Sequence, residues 1–270
     1  MAVISKITTQ QKNTERFNVF LDNGNGKDEY AFSVDQNVLI KFNLKKGLEL
    51  DSLDISEIQF DDEVKKGTNT AISFLAHRMR SEKEVVDYLK KKEIEAPIIQ
   101  EIIHRLYEFS YLNDKDFATA YVRTQLKTTV KGPEVIKREL EEKGIKVYII
   151  EDSLMEYNRN QQVDVAKGIA SKLSSKNSRV SSLEQKKKIE QTLLRKGFPW
   201  DIINEATKEV EIENDVDDQW EALTYQGEKA LRKYQKFEGY VFEQKMKQAL
   251  YRKGFSIELI DKYLETLQEE

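Results

Sequence analysis

The sequence predicts a mainly α-helical fold, in which tandem three-helix units form an elongated, curved array behind a small β-rich N-terminal module. Three observations predict this class. A helix ending of leucine, basic residue, glycine and large apolar residue recurs along the chain, charged residues of both signs make up 34% of the sequence, and only three prolines interrupt it. Interleaved charges of this kind are typical of long helices with solvated faces.

The recurring helix ending indicates an internal repeat. The segment 132–145 has the punctuation of a complete helix, with a proline in its first turn and Gly144 where a left-handed residue commonly ends a helix. Gly197 and Gly254 follow the same pattern, and Glu93 occupies the equivalent place in a version without glycine. These four positions are 51, 53 and 57 residues apart, which is a degenerate repeat.

Residues 1–34 differ from the rest of the chain because their pattern is strand-like. The stretches 17–21 and 30–34 are rich in β-branched and aromatic residues. The segment 22–26 between them contains two Asn-Gly dipeptides, which favour a tight turn. We therefore expect a β-hairpin here. After the hairpin we expect two short helical segments that end near the acidic residues 61–63.

Beyond this module the apolar positions recur at helical spacing and group the helices in threes. Ser81 with Glu84, and Ser181 with Glu184, have the spacing of capping boxes, and all three prolines fall at predicted helix starts. The first helix of unit one is expected near 70–79. The predicted domains are the β-rich module at 1–66 and three-helix units one to four at 67–112, 113–160, 161–213 and 214–270.

Net charge varies along the chain, from −3 in 1–66 to 0 in 67–162, +4 in 163–210 and −5 in 211–270. A protein that binds naked nucleic acid mainly through charge would be more basic, so any direct DNA affinity should be local. The four second helices together carry 16 basic and 11 acidic residues, whereas the four third helices carry 4 and 11. A helix-turn-helix DNA reader would need the cations on its third helix.

Several classes of protein are disfavoured by residue content. The chain has no cysteine, which excludes disulfides and thiolate chemistry, and no apolar run long enough for a signal peptide or a membrane span. His77 and His104 lie on different predicted helices without ligand spacing. We therefore expect a cytoplasmic protein with no enzymatic activity, no metal and no cofactor.

The cations of the second helices are the clearest candidates for contact with a partner. Lys186, Lys187 and Lys188 lie in the middle of a predicted helix that also carries Arg195, and they are candidates for contact with an acidic or phosphate surface. The cations at the C-terminal ends of the second helices have an alternative explanation, in which they complement the negative end of the helix dipole and need no partner. Those residues are Lys90, Lys143, Lys196 and Lys253.

The chain resembles the RecX family. The resemblance lies in YLNDKDFATAYVR at 111–123, KGP at 131–133 and ELEEKGI at 139–145, which occur in this order with the family's spacing. A β-rich module followed by three-helix units is also similar to the longer RecX proteins of Gram-positive bacteria. The motif residues are expected to pack, turn or start helices, and they are Tyr111, Asp114, Phe117, Tyr121, Gly132, Pro133, Leu140 and Gly144.

The resemblance implies a regulator that binds the filament of the RecA recombinase on single-stranded DNA and restrains its ATPase, strand-exchange and coprotease functions. The implied partners are RecA and the DNA within the filament, with weak direct DNA binding, no membrane, and a monomeric chain. On unit two the expected contact residues are Arg123, Lys127, Lys131 and Arg138.

Two alternatives remain open at this point. One is a helical-repeat adaptor for an unrelated protein. The other is a single-stranded DNA binder that acts without RecA, which would need aromatic stacking positions that the sequence does not identify.

Overall fold

The computed structural model describes residues 2–176, 179–212 and 216–269. The chain forms two compact bodies: body 1 comprises Met1–Phe117 with Lys143–Ile145, and body 2 comprises Ala118–Glu142 with Lys146–Glu270. The strands in the described residues are β1 (Ala2–Thr9), β2 (Arg16–Asp22), β3 (Glu29–Asp35) and β4 (Glu49–Leu50). The helices are α1 (Gln36–Lys41), α2 (Ser52–Leu75), α3 (Glu82–Lys91), α4 (Ala96–Glu108), α5 (Asp114–Thr128), α6 (Pro133–Glu142), α7 (Val147–Leu154), α8 (Arg159–Lys176), α9 (Ser182–Arg195), α10 (Trp200–Ile212), α11 (Val216–Tyr234), α12 (Gly239–Arg252) and α13 (Ile257–Glu269). The predicted class, mainly α with a small N-terminal sheet, is confirmed.

The N-terminal sheet of body 1 is antiparallel, with strand order β3-β2-β1-β4. The predicted hairpin is confirmed, since Val19 of β2 pairs with Phe32 of β3 and both side chains are buried. The Asp22 carboxylate accepts hydrogen bonds from the N–H groups of Gly24 and Gly26 at 2.9 and 3.0 Å. Both glycines have positive φ, which explains the turn composition. Strand β4 has only two residues, too few to show a periodic pattern.

Helix α2 is the main departure from the sequence-based prediction. The expected break before a separate helix over 70–79 is wrong, because α2 is one continuous helix of 24 residues. It begins with a capping box, in which Asp51 and Asp54 each accept a hydrogen bond from the other's backbone N–H. Asp61 and Asp62 do not end the helix, because both carboxylates are buried and paired with cations. The predicted boundary between the β-rich module and unit one falls inside this helix.

Asp62 connects α2 to the sheet. Its carboxylate accepts from the Arg16 guanidinium at 2.9 Å and from the backbone N–H of Asp35 at 2.8 Å, and Lys66 lies 2.8 Å away. Burial alone would raise the pKa of Asp62, but the hydrogen bonds from Arg16, Lys66 and Asp35 outweigh it and lower this pKa. The ionised form of Asp62 therefore stabilises the contact between strand and helix.

Asp61 extends the same network to the next two helices. Lys41 at the end of α1 lies 3.0 Å from its carboxylate, and Arg105 of α4 lies 2.5 Å away. Burial again opposes ionisation, and the hydrogen bonds from Arg105 and Lys41 lower the pKa of Asp61 below its usual value. We call the six side chains Arg16, Lys41, Asp61, Asp62, Lys66 and Arg105 the ionic junction.

The three-helix unit of body 1 is formed by α2, α3 and α4. The predicted capping box is confirmed, because the Ser81 hydroxyl accepts from the N–H of Glu84 and the Glu84 carboxylate accepts from the N–H of Ser81. Its core is aliphatic, and its buried members are Val64, Ala71, Val85, Leu89, Ile98, Ile99, Ile102, Leu106 and Leu112.

Body 2 contains the later helical units. Helices α8, α9 and α10 pack together, and so do α11, α12 and α13. Ser181 caps α9 by accepting from the N–H of Glu184 at 3.2 Å, and Ser256 lies at the start of α13 and accepts from the N–H of Leu259 at 3.3 Å. The predicted boundary at 213–214 lies outside the described residues.

Candidate functional site

The recurring turn at the end of each second helix has the predicted conformation. Glu93, Gly144, Gly197 and Gly254 have φ values of 61°, 79°, 85° and 87°. Glycine adopts this left-handed conformation without steric cost, so its use here follows from the backbone. Four residues earlier each second helix buries a leucine, and these are Leu89, Leu140, Leu193 and Leu250. The proposed equivalence of the four positions is confirmed.

In body 2 the glycine turn is also a joint between helices. The N–H of Gly132, just before α6, donates to the carbonyl of Lys196 at 2.7 Å, and the N–H of Glu134 donates to the carbonyl of Gly197 at 3.1 Å. The first turn of α6 thus lies on the last turn of α9. A Cβ at residue 132 would overlap the Gly197 carbonyl and approach the nitrogen of Phe198 to 2.6 Å, so only glycine fits.

A second joint connects α9 to α12. The Ser181 hydroxyl, at the start of α9, donates to the carbonyl of Lys253. A Cβ at residue 254 would come within 2.9 Å of the Ser181 oxygen and 3.1 Å of Leu183 Cβ. In both joints the positive N-terminal end of one helix meets the negative C-terminal end of another, which is a favourable arrangement of dipoles.

The same kind of contact occurs within body 1. Its segment Lys143–Ile145 lies beside the first turn of α3, where a Cβ on Gly144 would come within 2.8 Å of Lys83 Cβ. Sequence reasoning explained the glycines by helix endings alone and missed this close approach. The signal was available, because each contacted helix begins with a small residue, namely Ser81, Gly132 or Ser181.

Two of the predicted contact cations of unit two are held in ion pairs. Arg123 donates two hydrogen bonds, both 2.6 Å long, to the Glu156 carboxylate. The hydrogen bonds to Glu156 raise the pKa of Arg123, and those from Arg123 lower the pKa of Glu156. Lys131 lies 2.6 Å from Glu139. These cations therefore connect elements of unit two to one another.

Glu139 is shared between Lys131 and Tyr121. The Tyr121 hydroxyl donates to its carboxylate at 2.8 Å. Burial would raise the pKa of Glu139, but the hydrogen bonds from Lys131 and Tyr121 lower it, while burial and the same carboxylate raise the pKa of Tyr121. Tyr121 is thus a structural residue of this cluster.

The other two predicted cations of unit two lie outside such ion pairs. Lys127 on α5 and Arg138 on α6 are exposed, and neither has a carboxylate within ion-pair distance among the described residues. The structure therefore separates Lys127 and Arg138 from Arg123 and Lys131, although sequence reasoning treated the four alike.

The predicted cluster on α9 is also divided. Lys188 lies 3.1 Å from Glu184, one turn earlier on the same helix, and Lys186 is half-buried. Lys187 and Arg195 are exposed, with no ion pair to any residue that the structure describes. These two are the free cations of the cluster.

The remaining motif residues have structural positions. The Asp114 carboxylate accepts from the N–H of Glu82 at 2.8 Å, and Phe117 is buried with the Lys143 ammonium 5.9 Å from its ring centre. Leu140 is buried and Pro133 opens α6. Tyr111 differs, because it lies in the loop before α5 with most of its side chain exposed.

The structure adds a basic face on α11 that sequence reasoning missed. Lys229, Arg232 and Lys233 on α11, and Lys236 in the turn just after its end, are exposed, with no carboxylate partner in the described part of the chain. Tyr225 lies at the beginning of this face, with Lys229 4.1 Å and Arg179 4.9 Å from its ring centre. Hydrogen bonds from Lys229 and Arg179 lower the pKa of Tyr225.

A second aromatic ring lies at the other end of this face. Phe237 has Lys245 at 4.6 Å and Lys236 at 5.4 Å from its ring centre. Aromatic rings among cations are typical of surfaces on which bases stack. The net charge of −5 for 211–270 concealed these cations, because the segment as a whole carries more acidic than basic residues.

Other kinds of site find no support in the described residues. They contain no group of three or more His, Asp or Glu side chains that could hold a metal ion. None of their helices is long and apolar enough to cross a membrane.

Four family models match the chain. They are the regulatory protein RecX N-terminal domain at 2–51 and the first RecX three-helix domain at 68–106, then the second at 113–154 and the third at both 160–207 and 217–264. The double match of the third model agrees with the internal repeat.

Full-length relatives and solved structures carry the same name. The regulatory protein RecX of Bacillus subtilis (strain 168) is 52% identical over 270 residues, covering 100% of this chain and 99% of the relative. That of Geobacillus sp. (strain WCH70) is 47% identical over 269 residues, covering 100% and 98%. A crystal structure of regulatory protein RecX matches 77% of this chain and 100% of its own, with 32% identity and a TM-score of 0.68. The crystal structure of RecX from Lactobacillus salivarius matches 56% and 99%, with 40% identity and a TM-score of 0.55.

Proposed function

Because the chain belongs to the RecX family of regulatory proteins, we propose that it binds the RecA filament on single-stranded DNA and mainly inhibits its ATPase, strand-exchange and coprotease activities. The protein acts in the cytoplasm by binding and catalyses no reaction. The observation that carries this proposal is the match of all four RecX domain models in order along the chain. The implied partners are RecA subunits and the DNA that they enclose.

The joints of body 2 give this proposal a physical basis. They hold α6, α9 and α12 end to end, through backbone hydrogen bonds between α6 and α9 and through the Ser181 hydroxyl between α9 and α12, so the spacing between these helices is fixed. A regulator of a helical polymer needs contacts at fixed spacing, because each contact after the first then costs little additional ordering entropy. Among the free cations that such an array presents are Arg138 on α6, Lys187 and Arg195 on α9, and Arg252 on α12.

The basic face of α11 supports contact with DNA as part of this function. Its cations can neutralise phosphates, and Tyr225 and Phe237 offer rings for stacking. The same observation favours a second candidate function, a single-stranded DNA binder that acts without RecA. The two functions differ in whether RecA is required for the effect.

One experiment separates these candidates. RecA-dependent ATP hydrolysis on single-stranded DNA is measured with increasing amounts of this protein, and binding to the same DNA without RecA is measured in parallel. Inhibition at amounts well below one molecule per RecA, and below those that coat free DNA, is the expected result. Inhibition only at amounts that coat the DNA would favour the second candidate, and no inhibition would contradict the proposal.

A further inference from the structure

A groove in unit four exposes apolar side chains beside the left-handed turn at Gly254. It lies between α12 and α13 and has a volume of about 330 Å³. Its apolar residues Tyr251 and Ile257 are 61% and 59% exposed, and Gln244, Lys247, Gln248 and Ile260 complete the lining. Large exposed apolar groups that share one groove commonly mark a contact surface.

Unit three has the same pair at the equivalent positions. Subtracting the repeat spacing of 57 residues from Tyr251 and Ile257 gives Leu194 and Trp200. These side chains are 48% and 54% exposed. Each unit thus presents one aromatic and one aliphatic side chain, three residues before and three residues after its glycine.

Units one and two do not share this pair. Their equivalent positions hold Lys90 with Ala96 and Glu141 with Val147. The pair is therefore confined to the two units that the third RecX three-helix model matches. Helix packing does not explain it, because units one and two form the same turn without it.

A free cation accompanies each pair. Arg195 follows Leu194, and Arg252 follows Tyr251 at the equivalent position. Both arginines are exposed, and no carboxylate that the structure describes forms an ion pair with either. A matching ligand would supply an apolar side chain for the groove and a carboxylate for the arginine.

We propose that units three and four carry two equivalent docking surfaces, one centred on Leu194 with Trp200 and one on Tyr251 with Ile257, which bind the same apolar and acidic segment on two subunits of a repeating protein partner. This inference rests on the proposed function, in which the partner is the RecA filament. The repetition supports this proposal, since two like exposed pairs within one compact body fit a partner that presents one segment repeatedly. A protein fits better than DNA, because bases would stack on Trp200 and Tyr251 but would leave the exposed aliphatic side chains of Leu194 and Ile257 uncovered.

The test uses the full chain and RecA filaments assembled on single-stranded DNA with a slowly hydrolysed ATP analogue. The docking-surface variants are Leu194→Ser with Trp200→Ser, Tyr251→Ser with Ile257→Ser, and all four together. The matched control is Tyr148→Ser with Met155→Ser, which removes two exposed apolar side chains from the same body outside both docking surfaces. All six positions are exposed, so thermal unfolding should be unchanged in every variant.

We expect each double substitution to weaken filament binding about tenfold. The fourfold variant should weaken it about a hundredfold or more, because the two contacts act as linked sites. The control should bind like the wild type. Docking-surface variants that bind like the control, while the wild type still binds and inhibits, would overturn this inference and leave the proposed function intact. A wild-type protein that fails to bind the filament would overturn both.

Discussion

The two bodies attach their elements in different ways. In body 1 the sheet is attached to α2 and α4 by the ionic junction, in which Asp61 and Asp62 are buried among four cations. In body 2 helix ends meet through glycine and backbone hydrogen bonds, as at Gly132 and Gly197. A buried charge network suits a junction that occurs once, whereas a joint made of backbone can be repeated with different side chains around it.

The largest expected effect comes from breaking the ionic junction. Asp62→Ala leaves the Asp35 N–H without its acceptor and the half-buried Arg16 guanidinium without its carboxylate. We expect a loss of about 3–5 kcal/mol in the free energy of unfolding of body 1, measured by urea titration. The neighbouring exposed residue provides the control, and Glu63→Ala should change stability by less than about 0.5 kcal/mol. Equal effects of the two substitutions would contradict this account of the junction.

The ionic junction should also make body 1 sensitive to acid. The pKa values of Asp61 and Asp62 are lowered in the folded chain, so their contribution is present above the unfolded value of about 3.9 and is lost as pH falls through the folded values. We expect unfolding free energy to fall below about pH 4. The Asp61→Asn, Asp62→Asn variant, although less stable at pH 7, should lose less on acidification than the wild type. Parallel pH profiles would contradict the assignment.

The next effect concerns the joint between α6 and α9. Gly132→Ala places a methyl group against the Gly197 carbonyl, and backbone atoms cannot move aside as a flexible side chain can. We expect the free energy of unfolding of body 2 to fall by about 3 kcal/mol, measured by urea titration. Gly168→Ala is the matched control, because it lies in α8 with nothing within 4 Å of its added Cβ. It should stabilise the protein by about 0.5–1 kcal/mol.

The smallest effect concerns the one left-handed turn that lacks glycine. Glu93 has a φ of 61° and borders an open pocket of about 520 Å³ beside α2, so its side chain has room. Glu93→Gly removes the left-handed strain and adds backbone entropy to the unfolded chain, and the balance is a gain of about 0.5–1 kcal/mol. The midpoint of thermal unfolding should rise by a few degrees. A lower midpoint would show that the Glu93 side chain makes a contact that outweighs its strain.

Sequence reasoning succeeded where the signal is local. The Ser81–Glu84 capping box, the Asn-Gly turn and the start of α6 at Pro133 depend on residues a few positions apart, and each has the predicted structure. The repeat was also visible, because Leu140 and Gly144 recur at the same spacing in the other units.

It failed where the deciding contact is distant in sequence. Asp62 was taken as part of a break, because its partner Arg16 lies 46 residues away. Arg123 is exposed as expected, but its ion pair with Glu156 was missed, because Glu156 lies 33 residues away. The free cations Lys127 and Arg138 could be distinguished from the paired ones only once these distances were known.

The central structural claim is that the glycine turn serves as a joint and does more than end a helix. The most direct test compares the cost of replacing glycine by alanine at two positions. At residue 197 the wild type is compared with Gly197→Ala, and at residue 93 the Glu93→Gly variant is compared with Glu93→Ala. Both positions have positive φ, so the conformational cost is shared, but only at residue 197 would the new Cβ meet backbone, 2.6 Å from the Val135 nitrogen. We predict a cost of about 1 kcal/mol at residue 93 and about 3 kcal/mol at residue 197, measured by urea titration. Equal costs at the two positions would contradict the claim.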